Sequence, residues 1–131
     1  MYNENEKTTY WVELADYDLA TAFAMLETRR FLYVGFMCHQ VVEKLLKAYH
    51  VHRLDETPPH IHNLARLAVL SGLYEQFNLE QRDFLDTLEP LNVEARYPTN
   101  KQSIQASLNF EKCKALIEET REFTAWIKNQ F

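Results

Sequence analysis

Apolar residues recur along this chain at spacings of three, four and seven, the rhythm of a helix that buries one side. Trp11, Leu14, Ala15, Ala22, Met25 and Leu26 mark a first helix that begins near Tyr10 and runs to about residue 28, with Tyr17 and Phe23 widening its stripe. The seven residues before it are polar and are expected to fray, with Thr8 or Thr9 capping the helix. Arg29 and Arg30 suit the negative end of that helix and introduce a short break. A second helix follows from about Phe31 to His52, carrying Val34, Met37, Cys38, Val41, Leu45 and Ala48 on one face. Val42, Leu46 and Tyr49 broaden the apolar surface enough to place this helix deep in the fold. Its other face carries Gln40, Glu43, Lys44 and Lys47, spaced to point one way.

Beyond Pro58-Pro59, Ile61, Leu64, Ala65, Ala68 and Val69 describe a short third helix closed by Ser71-Gly72. Leu73, Tyr74 and Phe77 are expected to plug the turn. Asn78 followed by Gln81 is a capping-box pattern for a fourth helix with Phe84, Leu85 and Leu88 inward, which Pro90 should end or kink. The stretch 91–98 has no helical pattern, and Pro98 pushes Tyr97 out of the α region. Thr99 with Gln102 is a second capping-box candidate, opening a long final helix that buries Cys113, Leu116, Ile117, Thr120, Phe123, Thr124 and Ile127. No alternating run is long enough for a strand. The reading is one all-α domain over residues 1–131, an up-and-down bundle of four to five antiparallel helices with residues 1–7 disordered.

Composition agrees: 131 residues suit one domain, and two glycines with four prolines leave few turn residues for a many-stranded sheet fold. The formal net charge of −5 argues against broad binding to a DNA backbone, while leaving room for a local basic patch. Cys38 and Cys113 lie within apolar helical patterns without zinc-type spacing, so they read as buried thiols of a reducing compartment, with a disulfide between them left open. No apolar run approaches the roughly 20 residues of a membrane span, and the N-terminus lacks signal-peptide character, so a cytoplasmic location without membrane contact is expected.

Three stretches carry a family resemblance: 36–48 (FMCHQVVEKLLKA), 60–64 (HIHNL) and Ala95-Arg96-Tyr97-Pro98. In order and spacing they resemble the signatures of HEPN domains (higher eukaryotes and prokaryotes nucleotide-binding), and the similarity runs from Tyr10 to the last helix. The resemblance implies a helical bundle that commonly forms a homodimer and is often paired with a minimal nucleotidyltransferase in toxin–antitoxin-like modules. Other family members are metal-independent ribonucleases, marked by an Arg, usually followed by a polar residue, and a His separated from that Arg by four to six intervening residues.

Here Arg96 is followed by Tyr97 and Pro98, and Lys101, Gln102 and Ser103 occupy the places of that His. Metal-free RNA cleavage needs groups that take and give protons near neutral pH, a task suited to His. No catalytic residue and no cofactor is therefore expected. Arg53 and His60 match the spacing but straddle a Pro-rich loop, so that match is coincidence. The candidate ligand-binding set is His39, Gln40, Glu43, Lys44, Lys47, Arg96, Tyr97 and Lys101. In one reading Lys44, Lys47 and Arg96 form a cationic platform for phosphate, with Tyr97 stacking on a base. In the other, the same charges form a solvated or intrabundle ion-pair face, with Arg96 tethered to Glu43. His50, His52, His60 and His62 invite a metal site, but i, i+2 neighbours diverge on a helix, so surface or capping roles are expected. His39 is expected to be hydrogen-bonded and partly buried, and the aromatics Trp11, Phe23, Phe36, Phe123 and Trp126 to serve core and dimer surface. The expected function is a nucleotide- or RNA-binding partner subunit of a nucleotidyltransferase. The alternatives are a ribonuclease toxin using Arg96 with His39 or His60, and a structural homodimer without ligand.

Overall fold

A computed structural model describes residues 5–96 and 108–131. It contains five α-helices, α1 (Asn5–Glu27), α2 (Phe31–Leu54), α3 (Leu64–Ser71), α4 (Leu79–Arg96) and α5 (Phe110–Lys128), with one 3-10 turn at Tyr74–Gln76 and no strand among the described residues. The helices form an all-α bundle. α2 is its axis: it contacts each of the other four helices, and sixteen of its twenty-four residues are buried. This explains why its sequence is apolar on more than one side. Val34, Cys38, Val42, Leu45, Leu46 and Ala48 are fully enclosed and join Ala22, Leu67, Leu88 and Ile117 in a single core. Each large aliphatic side chain so buried contributes about 1.5–3 kcal/mol from loss of water contact.

Short connections set the neighbours. The turn after α1 is closed by Thr28 Oγ1 donating to the Ala24 carbonyl at 2.9 Å, with Arg29 at φ 60° and its guanidinium over the Phe110 ring. Gly72 ends α3 at φ 84°, a conformation that penalises a Cβ, and its N–H satisfies carbonyls of the last turn. At the start of α4, Asn78 and Gln81 form the reciprocal pair expected of them, Gln81 N–H to Asn78 Oδ1 at 2.8 Å and Asn78 N–H to Gln81 Oε1 at 2.9 Å. Leu73 and Phe77 are buried beneath the turn, and Phe77 packs on Phe123 and Trp126 of α5. Phe123 is buried, whereas Trp11, Phe23, Phe36 and Trp126 are only partly covered.

Four boundaries differ from the sequence expectation. α1 begins at Asn5 rather than near Tyr10, and Thr8 is buried inside it rather than capping it. α2 continues to Leu54, where Asp55 in the left-handed region closes it by donating its N–H to Val51. α4 does not stop at Pro90 but passes through it to Arg96. Pro90 is exposed, so its ring faces no core, while Leu91 packs against Gly35 of α2 and Asn92 is buried. Tertiary packing thus offsets an interior proline cost of about 3 kcal/mol. The last helix is opened by Asn109, whose backbone is extended and whose side chain accepts from Lys112 N–H at 2.9 Å. The Thr99–Gln102 candidate cap lies outside the described residues. No described helix is long and apolar enough to cross a membrane.

Candidate functional site

The polar stripe of α2 faces inward. Because α2 is surrounded, its hydrophilic side meets other helices rather than water: His39, Gln40, Glu43 and Lys47 are all less than a tenth exposed. Buried charges persist only when paired, and these are. Glu43 Oε2 takes Lys47 Nζ at 3.1 Å, one turn further along α2, and His62 Nδ1 at 3.0 Å, from the connection that precedes α3. Glu43 Oε1 has no hydrogen bond and faces His39 Nδ1 at 3.7 Å. On its other side the His39 ring lies 3.7 Å from Glu89 Oε2 of α4. His39 is completely enclosed, deeper than expected.

Glu89 has a double role. Its Oε1 accepts from the Leu64 N–H at 2.8 Å, filling the first free amide of α3 from a different helix. Burial raises the Glu89 carboxyl above the ordinary range, the Leu64 bond pulls it back, and the nearby Glu43 charge raises it further. Gln40 Nε2 donates to Asn92 Oδ1 at 3.3 Å, pinning α4 to α2 one turn before Arg96. Lys47 completes the set with its ammonium 5.6 Å from the centre of the Trp11 ring.

Of the residues singled out from sequence, the fold therefore joins His39, Glu43 and Lys47 in one network and sets Gln40 beside it. Lys44 is separated from them: it turns to α1 and binds Asp18. Neither lysine presents a free ammonium, so the ion-pair reading describes both. Arg96 is the last residue of α4; its side chain, with Tyr97 and Lys101 entirely, lies outside the described residues. The proposed Arg96–Glu43 tether falls there too. Sequence reasoning missed Glu89, Asn92 and Asp18, whose roles depend on contacts between distant helices. It also misplaced one histidine: His50 is buried, with Nε2 3.2 Å from Glu56 Oε1 and Nδ1 without a hydrogen-bond partner, whereas His62 is exposed as expected and in addition contacts Glu43. Among the described residues, no three His, Cys, Asp or Glu groups converge to hold a metal ion. Cys38 and Cys113 are buried free thiols, not a disulfide.

The described residues thus form a helical bundle whose central helix carries an enclosed His–Glu–Lys network, contacted by a histidine from the next connection. The chain belongs to the HEPN domain family, whose model matches residues 8–130. This is a nucleotide- and RNA-related family of helical domains. No curated protein and no solved structure matches the chain.

Proposed function

We propose that this HEPN domain is a non-catalytic nucleotide- or RNA-binding subunit, a homodimer that partners a minimal nucleotidyltransferase in a toxin–antitoxin-like pair. The observation that carries the reading is the Gln40–Asn92 hydrogen bond beside the buried network. In this reading it ties α4 to α2 at Asn92, and Arg96 follows one turn, about 6 Å, further along the helix. The division of labour follows from burial. His39, Gln40, Glu43 and Lys47 position α4 and the connection before α3, and Lys44 ties α2 to α1. Arg96, Tyr97 and Lys101 supply the donors and the aromatic face that meet phosphate and base. Lys101 balances phosphate charge; with an ordinary amine pKa of about 10.4 it is a poor acceptor of a 2′-hydroxyl proton near neutral pH.

The test is incubation of the wild type and Arg96→Ala with single-stranded RNA in EDTA, scoring cleavage and retention separately. The expected outcome is no cleavage by either protein and retention of RNA by the wild type that Arg96→Ala loses by about tenfold, the worth of one charge-assisted donor pair. Robust wild-type cleavage that disappears in Arg96→Ala would defeat this reading and establish the ribonuclease alternative.

A further inference from the structure

We infer that the cleft between α4 and α5 is a docking site for an arginine-bearing segment of a partner protein, whose guanidinium lies on the aromatic floor of the cleft and pairs with its acidic rim. The position of the cleft follows from how the two helices are seated. Both pack on α2, and between the start of α4 and the second half of α5 they leave a space of about 260 Å³. On α5, Glu119, Glu122, Phe123 and Trp126 recur at spacings of three and four and so share one side. On α4, Glu80 and Phe84 stand four apart and line the other wall. Phe84 and Phe123 are buried and meet edge to face with ring centres 5.7 Å apart, while Trp126, partly covered, rests against Phe77 at 5.5 Å. The floor is held by this packing, so it is formed before any visitor arrives.

The charges on the rim name the visitor. Glu80, Glu119 and Glu122 are the charged side chains that line the cleft, and all carry the same sign. Asn78 and Gln81 beside them are committed to each other's backbone amides. The arginines adjacent in sequence are committed too: Arg121 pairs with Glu118, and Arg82 lies over the Tyr74 ring and donates to its carbonyl. Among the described residues, none of the three acids has an ion-pair partner. The strain shows on Glu119, whose carboxyl is raised above the ordinary range first by burial and then by the charges of Glu122 and Glu80. A cation entering the cleft relieves that repulsion, whereas a phosphate would add to it.

Arginine fits this combination better than lysine. Its planar guanidinium can lie flat on an aromatic ring while its edge offers paired N–H groups to carboxylates, and it sheds water more readily than an ammonium. The rim acids are exposed, so the side chain can enter while the backbone that carries it stays outside, as suits a segment of a larger protein. Arg96 ends α4 twelve residues beyond Phe84, about 18 Å along the axis, so this docking site and the segment assigned to RNA occupy opposite ends of one helix.

Trp11 and Trp126 are the two tryptophans of the chain, so two indole N–H signals in a heteronuclear NMR spectrum separate this cleft from the Lys47 side of α1. Titration with a capped peptide of three arginines spaced by glycines should shift the Trp126 signal saturably and leave that of Trp11 in place. Citrulline in place of each arginine keeps the shape without the charge and should weaken binding about tenfold, as should Glu119→Gln combined with Glu122→Gln. Glu13→Gln combined with Glu111→Gln removes the same two charges from exposed positions elsewhere and should change affinity by less than about twofold. All four positions are exposed, so both variants should keep the native helical circular dichroism. An unmoved Trp126 signal, equal binding of the citrulline peptide, or equal weakening by the two pairs of substitutions would each overturn the docking site. Tighter binding of spermidine, which carries as many charges as the peptide, would assign the cleft to a free polyamine instead. A Trp126 signal that moves with protein concentration alone would give it to a second copy of the chain, and either result defeats the proposal.

Discussion

At the scale of single residues, Glu43 is the position on which the enclosed network turns, because one of its oxygens serves both Lys47 and His62. Glu43→Ala leaves an ammonium in a buried place without its counter-charge, and removing one member of a buried pair costs about 3–5 kcal/mol. Urea denaturation at pH 7 should show a loss near 3 kcal/mol, since Lys47 keeps the Trp11 face as a partial substitute. Glu43→Gln, which retains an acceptor of the same shape, should lose less. A loss below about 1 kcal/mol for the alanine variant would mean that the network contributes nothing to the fold. The i, i+3 and i, i+4 spacing of Gln40, Glu43, Lys44 and Lys47 made their shared face legible from sequence. That this face points into the bundle was not, because Asp18, Glu89 and Asn92, which receive it, stand 26 to 52 positions from their partners. Spacing along one helix carries no information about what a second helix places opposite.

Among the elements, local chemistry was readable and long-range packing was not. Asn78 and Gln81 satisfy each other's amides within one turn, so the start of α4 was evident from four residues. Asn78→Ala should lower stability by about 1 kcal/mol, and Asn78→Ala with Gln81→Ala together should cost less than the sum of the two, as reciprocal bonds require. Thermal unfolding of the four proteins in this cycle tests it, and strict additivity would show that the box is not cooperative. The far end of α4 was misread because Pro90 outweighs its neighbours in any local account. Leu91 against Gly35 and Asn92 against Gln40 lie on the opposite side of that balance, and neither contact is visible without the fold. The same holds for the final helix, where Asn109 was passed over for Thr99 although both are good caps.

For the molecule as a whole, the proposed homodimer has a physical motive in the outer side of α1. Tyr10 and Tyr17, two turns apart, are 58% and 72% exposed, a large aromatic investment on a face that no described helix covers. Light scattering at micromolar concentration should give twice the 15.6 kDa of one chain. A monomer mass would remove the dimer from the proposal. The bundle also governs the reactivity of its two thiols. Cys38 is pushed up to about 12 by burial, opposed by its hydrogen bond with Thr120, and Cys113 is raised to about 11 by burial. A thiol reacts as its thiolate, and neither side chain forms one at neutral pH while the helices are closed. Alkylating agents should therefore modify these positions far more slowly in the folded chain than in urea, so that modification under native conditions follows opening of the bundle. The sulfurs thus serve as a clock of unfolding, counting excursions too rare for an equilibrium measurement to register.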